Sequence, residues 1–196
     1  MSETDRLNGG LAGRLDAILR ATPNLMTVLE RARALALPDW LMVSGAIYQP
    51  VLNHLTGRPL DFGIKDYDLA YFDAADLSFA AEDAVIQRAA TAFDSPLREM
   101  VEVRNQARVH LWFEDHYGEA YAPLSCSAEA LSRFTAPLFA VGARLEPDGR
   151  LHLEAPFGLA DLFGLRLRPN PTRRTRGFET TAARAAARWP EITVEA

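Results

Sequence analysis

The chain has 196 residues, with 21 Lys+Arg against 26 Asp+Glu and a formal net charge of −5. Apolar residues make up 48% of it, which excludes wholesale disorder, and the length suits one domain or one domain with a small appendage. The acidic balance gives no overall field for non-specific nucleic-acid binding, so no duplex DNA partner is expected. Cys126 is the single cysteine, and no apolar run approaches the roughly 18 residues that a membrane span needs. The acidic start, Met1-Ser2-Glu3-Thr4-Asp5, adjoins no apolar core and is unlike a signal peptide. The expectation is a cytoplasmic protein without membrane contact. Lys65 is the only lysine, and with the abundant alanine this points to a GC-rich bacterial genome.

Residues 1–10 are polar and read as a disordered N-terminus. From Leu11 the apolar positions Leu11, Leu15, Ile18 and Leu19 recur at helical spacing. Thr22-Pro23 reads as an N-cap with proline at the first helical position of a second helix, which presents Leu25, Val28, Leu29 and Ala32 on one face. Trp40-Leu41-Met42-Val43 suits a strand buried on both faces. Ser44-Gly45 breaks it, and residues 46–55 read as a helix. After a turn-rich stretch, Asp66-Tyr67-Asp68-Leu69-Ala70-Tyr71-Phe72 reads as a strand whose first two carboxylates share a face, because side chains alternate with period two.

Residues 80–93 read as a helix and 100–103 as a short strand. Asn105 reads as the cap of a helix carrying Val109, Trp112 and Phe113. In the last third, residues 139–145 and 150–153 flank Pro147-Asp148-Gly149, a hairpin signal, and helices follow over 157–165 and 180–189. The whole reads as an α/β (α+β) fold, a mixed sheet flanked by helices with a C-terminal β-hairpin and helices. Residues 11–196 are expected to form a single domain, with a core over about 39–115 and an accessory α+β part over about 125–190.

The chemistry concentrates between Trp40 and Asp73. Carboxylates at i and i+2 of a strand lie close enough to share a divalent cation and repel each other without one. Hard oxygen ligands of this kind suit Mg²⁺, or Mn²⁺. Ser44-Gly45 at a helix N-terminus offers backbone N–H groups and a hydroxyl to an anion. A phosphate cradle beside a carboxylate pair is what nucleotidyl transfer needs. Asp-x-Asp alone is equally the mark of a solvated strand edge, and Ser-Gly alone is an ordinary turn. The order of strand, small-residue turn, helix and Asp-x-Asp strand favours the chemistry over these plain readings.

Val43-Ser44-Gly45-Ala46-Ile47 followed by Ile64-Lys65-Asp66-Tyr67-Asp68-Leu69 resembles the head of the polymerase-β-type nucleotidyltransferase superfamily, in a layout similar to that of tRNA CCA-adding enzymes. Over residues 35–190 the chain resembles a small bacterial nucleotidyltransferase-like family. The resemblance is carried by residues 66–73, by Glu102-Val103-Arg104-Asn105 with the run to Trp112, by Ala155-Pro156-Phe157-Gly158 with the run to Phe163, and by Arg168-Pro169-Asn170-Pro171. It implies an NTP substrate, a hydroxyl acceptor of unstated identity (small molecule, protein or RNA), and a third carboxylate on an adjacent strand. Glu102 fits that third place, since Val101-Glu102-Val103 reads apolar-acid-apolar; a plain surface glutamate is the other reading. CCA-adding heads carry Arg-Asp where this chain has Tyr48-Gln49, so that arginine's triphosphate contact is missing, and the stretch from Gly45 to Asp66 is long.

Asp66, Asp68 and Glu102 are therefore the expected catalytic and metal-binding residues. Ser44, Gly45, Arg104, Asn105 and Arg108 are the expected nucleotide-binding residues, although ordinary ion pairs account equally well for the two arginines. His110 and Trp112 read as core residues. Arg166, Arg168, Arg173, Arg174 and Arg176 form one basic cluster, open to RNA, nucleotide or solvent. Two functional readings stand: a Mg²⁺-dependent nucleotidyltransferase, and a catalytically degenerate module that binds nucleotide or protein.

Overall fold

The computed structural model describes residues 3–173 and 175–195. Helix α1 (Glu3–Ala21) begins eight residues ahead of the Leu11 start marked by its apolar repeat. It buries Leu15, Ile18 and Leu19, and α2 (Leu25–Ala34) buries Leu25, Val28, Leu29 and Ala32, the stripe that the 3.6-residue period sets. Thr22 does not cap α2. Its hydroxyl donates to the Ile18 carbonyl and closes the end of α1, while Asn24 precedes α2 in a left-handed conformation.

Five strands form the main sheet in the order β3-β2-β1-β4-β5. They are β1 (Leu41–Val43), β2 (Tyr67–Tyr71), β3 (Val101–Asn105), β4 (Gly142–Leu145) and β5 (Leu151–Glu154). β2 and β3 are parallel, and the other neighbours are antiparallel. The crossover between β2 and β3 runs through α4 (Phe79–Ala92) and the single turn α5 (Leu97–Met100). Between β1 and β2 lies α3 (Gly45–Leu55). The hairpin β4–β5 is not an appendage, because β4 pairs with β1 and extends the main sheet.

After β3 come a 3₁₀ turn (Gln106–Leu111), α6 (Phe113–Tyr117) and α7 (Ser127–Ser132). The C-terminal part adds α8 (Ala160–Phe163), β6 (Arg166–Leu167), α9 (Phe178–Arg188) and β7 (Thr193–Val194). β6 and β7 form a small parallel pair that the hydrophobic pattern does not announce, since two-residue strands carry no period.

The two faces of the sheet differ. Met42, Tyr67, Leu69, Tyr71 and Val103 join a cluster with α1, α2, α3 and α4 that runs on to Trp189 and Ile192. The opposite face carries a small cluster of Leu41, Val43 and Ala70 with Leu131 of α7 and Ala140. Beyond it this face is open. Among the described residues no helix is long and apolar enough to cross a membrane.

Candidate functional site

Register places the site on the open face. Val43 lies opposite Asp68, and Asp68 opposite Glu102, so the three form one row across β1, β2 and β3. Leu41, Ala70 and Arg104 form the next row. Paired residues project on the same side of a sheet, so Asp68 and Glu102 are neighbours on one surface. β3 is an edge strand, which leaves Glu102 and Arg104 exposed beside a half-buried Asp68.

The turn after β1 completes the row. Ser44 sits at φ 60° and ψ −144°, a conformation that favours glycine and is strained for serine. Its hydroxyl makes no helix cap; it lies beside Asp68, where it favours the ionised carboxyl. Glycine follows Ser44, and a Cβ there would require the Gln49 side chain to move.

The Asp68 carboxyl is pushed up to about 6, chiefly by burial and then by the charge of Asp66; the Ser44 hydroxyl holds it down, Glu102 raises it and Arg104 lowers it. Asp66 stands one residue ahead of β2. Asp68 and Glu102 have Arg104 beside them, its guanidinium 3.9 Å from Glu102, and Asp66 lines a neighbouring cavity with cations of its own. Oxygen donors with surplus negative charge fit a divalent cation such as Mg²⁺. As these side chains stand, no three His, Cys, Asp or Glu residues among those described are gathered closely enough to hold a metal ion.

A cavity of about 730 Å³ covers this row. At one end lie Val43, Ser44, Tyr48, Asp68, Glu102 and Arg104; at the other lie Trp112, Phe113, Tyr117 and Tyr121. Phe113 stacks at 4.4 Å from Tyr121 and 4.7 Å from Tyr117, centroid to centroid. This volume and its mixture of aromatic walls with a few charged groups are those of a small-molecule site. A second cavity of about 270 Å³ adjoins it, with Tyr48 lining both and Asp66 lining the second. Burial raises the Tyr48 hydroxyl above its ordinary value, with Arg188 acting in the opposite sense.

Three expectations need correction. Arg108 does not face a nucleotide: it is buried, paired with Glu82, and donates to the Leu77 carbonyl at 2.8 Å. Asn105 is buried as well. Its Oδ1 accepts from the N–H groups of Asp73 and Ala107, and its Nδ2 donates to the Asp73 carbonyl, so it ties β2 to the 3₁₀ turn. Glu82 accepts from the Asn105 N–H at 2.8 Å, which joins both residues into one structural network. Trp112 is no core residue, since it is 36% exposed and walls the large cavity. His110 does lie inward, yet its Nδ1 is buried without a hydrogen-bond partner among the described residues.

The basic cluster also resolves differently. Arg166 and Arg168 both close on the buried Asp161, and Arg173 closes on Glu119. Arg174 lies outside the described residues. Of the expected nucleotide-binding residues, Ser44 and Arg104 line the large cavity, and Gly45 shapes the turn beside it. The sequence reading missed Tyr48, Tyr121 and the cations of α9. The spacing of Arg184 and Arg188 marks a shared helix face, but nothing local ties that face to Asp66.

A family model described as nucleotidyltransferase matches residues 30–194, and the chain belongs to that family. A comparison with curated proteins finds no match. Among solved structures, an NMR structure described as revealing a CCA-adding enzyme head domain is similar, with a TM-score of 0.75 and 22% identity over 92% of this chain and 94% of that one. That likeness establishes the nucleotidyltransferase head-domain fold for the mixed sheet and its helices.

Proposed function

We propose that this member of the nucleotidyltransferase family moves an NMP from an NTP to a hydroxyl acceptor, with Asp66, Asp68 and Glu102 as the working carboxylates. The observation that carries the reading is the register of β2 on β3, which sets Asp68 beside Glu102 under a cavity large enough for a nucleotide. Mg²⁺ or Mn²⁺ bound by Asp66 and Asp68, with the exposed Glu102 turned inward, would supply charge neutralisation to the phosphates and acidify the attacking hydroxyl.

The chain's own groups divide the work. Ser44 favours the ionised form of Asp68. The N–H groups of Gly45 and Ala46 open α3 at the strained turn and would receive a phosphate oxygen there, while those of Ile47 and Tyr48 already donate to the Ser44 carbonyl. Glu102 takes the proton of the acceptor hydroxyl. The acceptor oxygen then bonds to the α-phosphorus, and the bond from that phosphorus to the bridging oxygen breaks, with pyrophosphate carrying away the electron pair. Arg104, exposed in the next row, meets the phosphates or an acidic acceptor. The aromatic wall of Trp112, Phe113, Tyr117 and Tyr121 stacks a planar ring.

The test is Mg²⁺-dependent pyrophosphate release with each of the four NTPs and an acceptor pool drawn from cell extract, read beside thermal shift. Release from the wild type and none from Asp68→Asn supports transfer. An NTP-induced thermal shift without release from the wild type replaces transfer with the binding module, for which the absence of the Arg-Asp pair at Tyr48-Gln49 is the motivating feature.

A further inference from the structure

The small cavity beside Asp66 gathers three cations from separated parts of the chain: Lys65 before β2, and Arg184 and Arg188 of α9. Arg184 and Arg188 are four residues apart and share one helix face. Arg188 donates from Nη1 to Gln49 Oε1 at 3.4 Å and to the Gly63 carbonyl at 3.3 Å, both of them neutral acceptors. Among the described residues none of the three cations makes an ion pair. Many of the other cations, though not all, are neutralised on carboxylates. Arg108 ends on Glu82, Arg166 and Arg168 end on Asp161, and Arg173 ends on Glu119.

An acidic chain has carboxylates to spare and Asp66 lines the same concavity, yet among the described residues no carboxylate, Asp66 included, comes within ion-pair reach of these cations. Like charges brought together repel, and an anion of several charges relieves that repulsion. Two guanidinium forks with one ammonium match an extended polyphosphate better than a single carboxylate, because arginine pairs two phosphate oxygens and lysine serves as a point charge. Tyr48 lines both cavities, so a chain of phosphates reaching from the carboxylates enters this one directly.

We infer that Lys65, Arg184 and Arg188 bind the β- and γ-phosphates of the nucleoside triphosphate and retain the pyrophosphate as it leaves. The inference rests on the transfer reading and fixes the direction of the nucleotide: polyphosphate toward α9, nucleoside toward the aromatic wall. The C-terminal helix is then part of the substrate site.

The test uses inorganic tripolyphosphate as the probe, titrated calorimetrically into the full chain in Mg²⁺-free buffer. The double variant Lys65→Gln/Arg184→Gln removes two cations that make no ion pair or hydrogen bond among the described residues, so folding is retained and circular dichroism checks it. Its affinity is expected to fall about 10- to 100-fold, as loss of charge-assisted contacts implies. Arg150→Gln, on the exposed hairpin turn, lowers the net charge without touching either cavity and should leave affinity unchanged. No binding to the wild type, undiminished binding to the double variant, or an equal loss in Arg150→Gln overturns the inference. Asp68→Asn separates the two readings, because it should lose transfer and keep tripolyphosphate binding. Pyrophosphate release from the wild type with undiminished binding to the double variant leaves transfer standing and removes this site.

Discussion

Neighbouring residues of β2 lead opposite lives. Tyr67, Leu69 and Tyr71 are each no more than 2% exposed and are sealed beneath helices, whereas Asp68 between them faces a cavity with its carboxyl beside a strained serine. One face carries the stability of the sheet, and the other carries charges that the fold tolerates at a cost. A parallel strand pair at the edge of the sheet allows both, because register fixes which side each residue takes and the edge leaves Glu102 and Arg104 room to move.

The sharpest way to break that comparison is substitution in the carboxylate row. Asp66→Asn and Asp68→Asn should each abolish Mg²⁺-dependent pyrophosphate release while circular dichroism stays native, and undiminished release from Asp68→Asn would end the proposed mechanism. Glu102→Gln should slow release by roughly two to four orders of magnitude, the contribution of a general base. A rate within a factor of a few of wild type returns Glu102 to the role of a surface glutamate.

On the sealed side the same size of change acts on folding. Leu69→Ala should lower unfolding free energy by about 2–5 kcal/mol in denaturant titration. Glu82→Gln should lower it by about 3–5 kcal/mol, since Arg108 is left buried without its partner. In either case the unfolding transition should remain single, because one apolar cluster joins Leu15 to Ile192. A variant with native stability would contradict the packing described above.

The pH dependence of the metal-free protein gives a smaller effect. With its carboxyl raised to about 6, Asp68 binds its proton more tightly in the folded state than in the unfolded chain. Folding is therefore unpenalised by this group below about pH 4, and stability is lost as pH rises through about 6. Asp68→Asn should match wild type at low pH and exceed it above pH 6 by up to about 3 kcal/mol. Wild type that equals Asp68→Asn at every pH would show that Asp68 is not held in this environment.

Ser44 offers the finest adjustment. Ser44→Ala removes the donor to Asp68 and should move its titration above about 6, as followed by carboxyl carbon NMR. Ser44→Gly removes the same donor but relieves the positive φ, so it should be more stable than Ser44→Ala by about 1 kcal/mol. Equal stability of the two would mean that the turn relaxes at no cost.

The sequence by itself determined the local pieces of this protein. Helical period gave the buried stripes of α1 and α2, and strand period gave the alternation by which Tyr67, Leu69 and Tyr71 turn inward while Asp68 takes the other face. The Asp-x-Asp strand after a Ser-Gly turn and helix was enough to point to the nucleotidyltransferase family. What it could not determine was which charges would meet. Arg108 and Asn105 follow Glu102 closely along the chain, yet the end of β3 and the 3₁₀ turn after it carry them inward onto Glu82 and Asp73. Lys65 and Arg184 are far apart in sequence, yet α9 carries Arg184 and Arg188 to the cavity beside Asp66. Periodicity is a local property of the backbone and is visible in a short window. The partner of a charged side chain depends on long-range packing, and only the tertiary structure decided that arginines alike in sequence would close on a carboxylate in one place and line an open cavity in another.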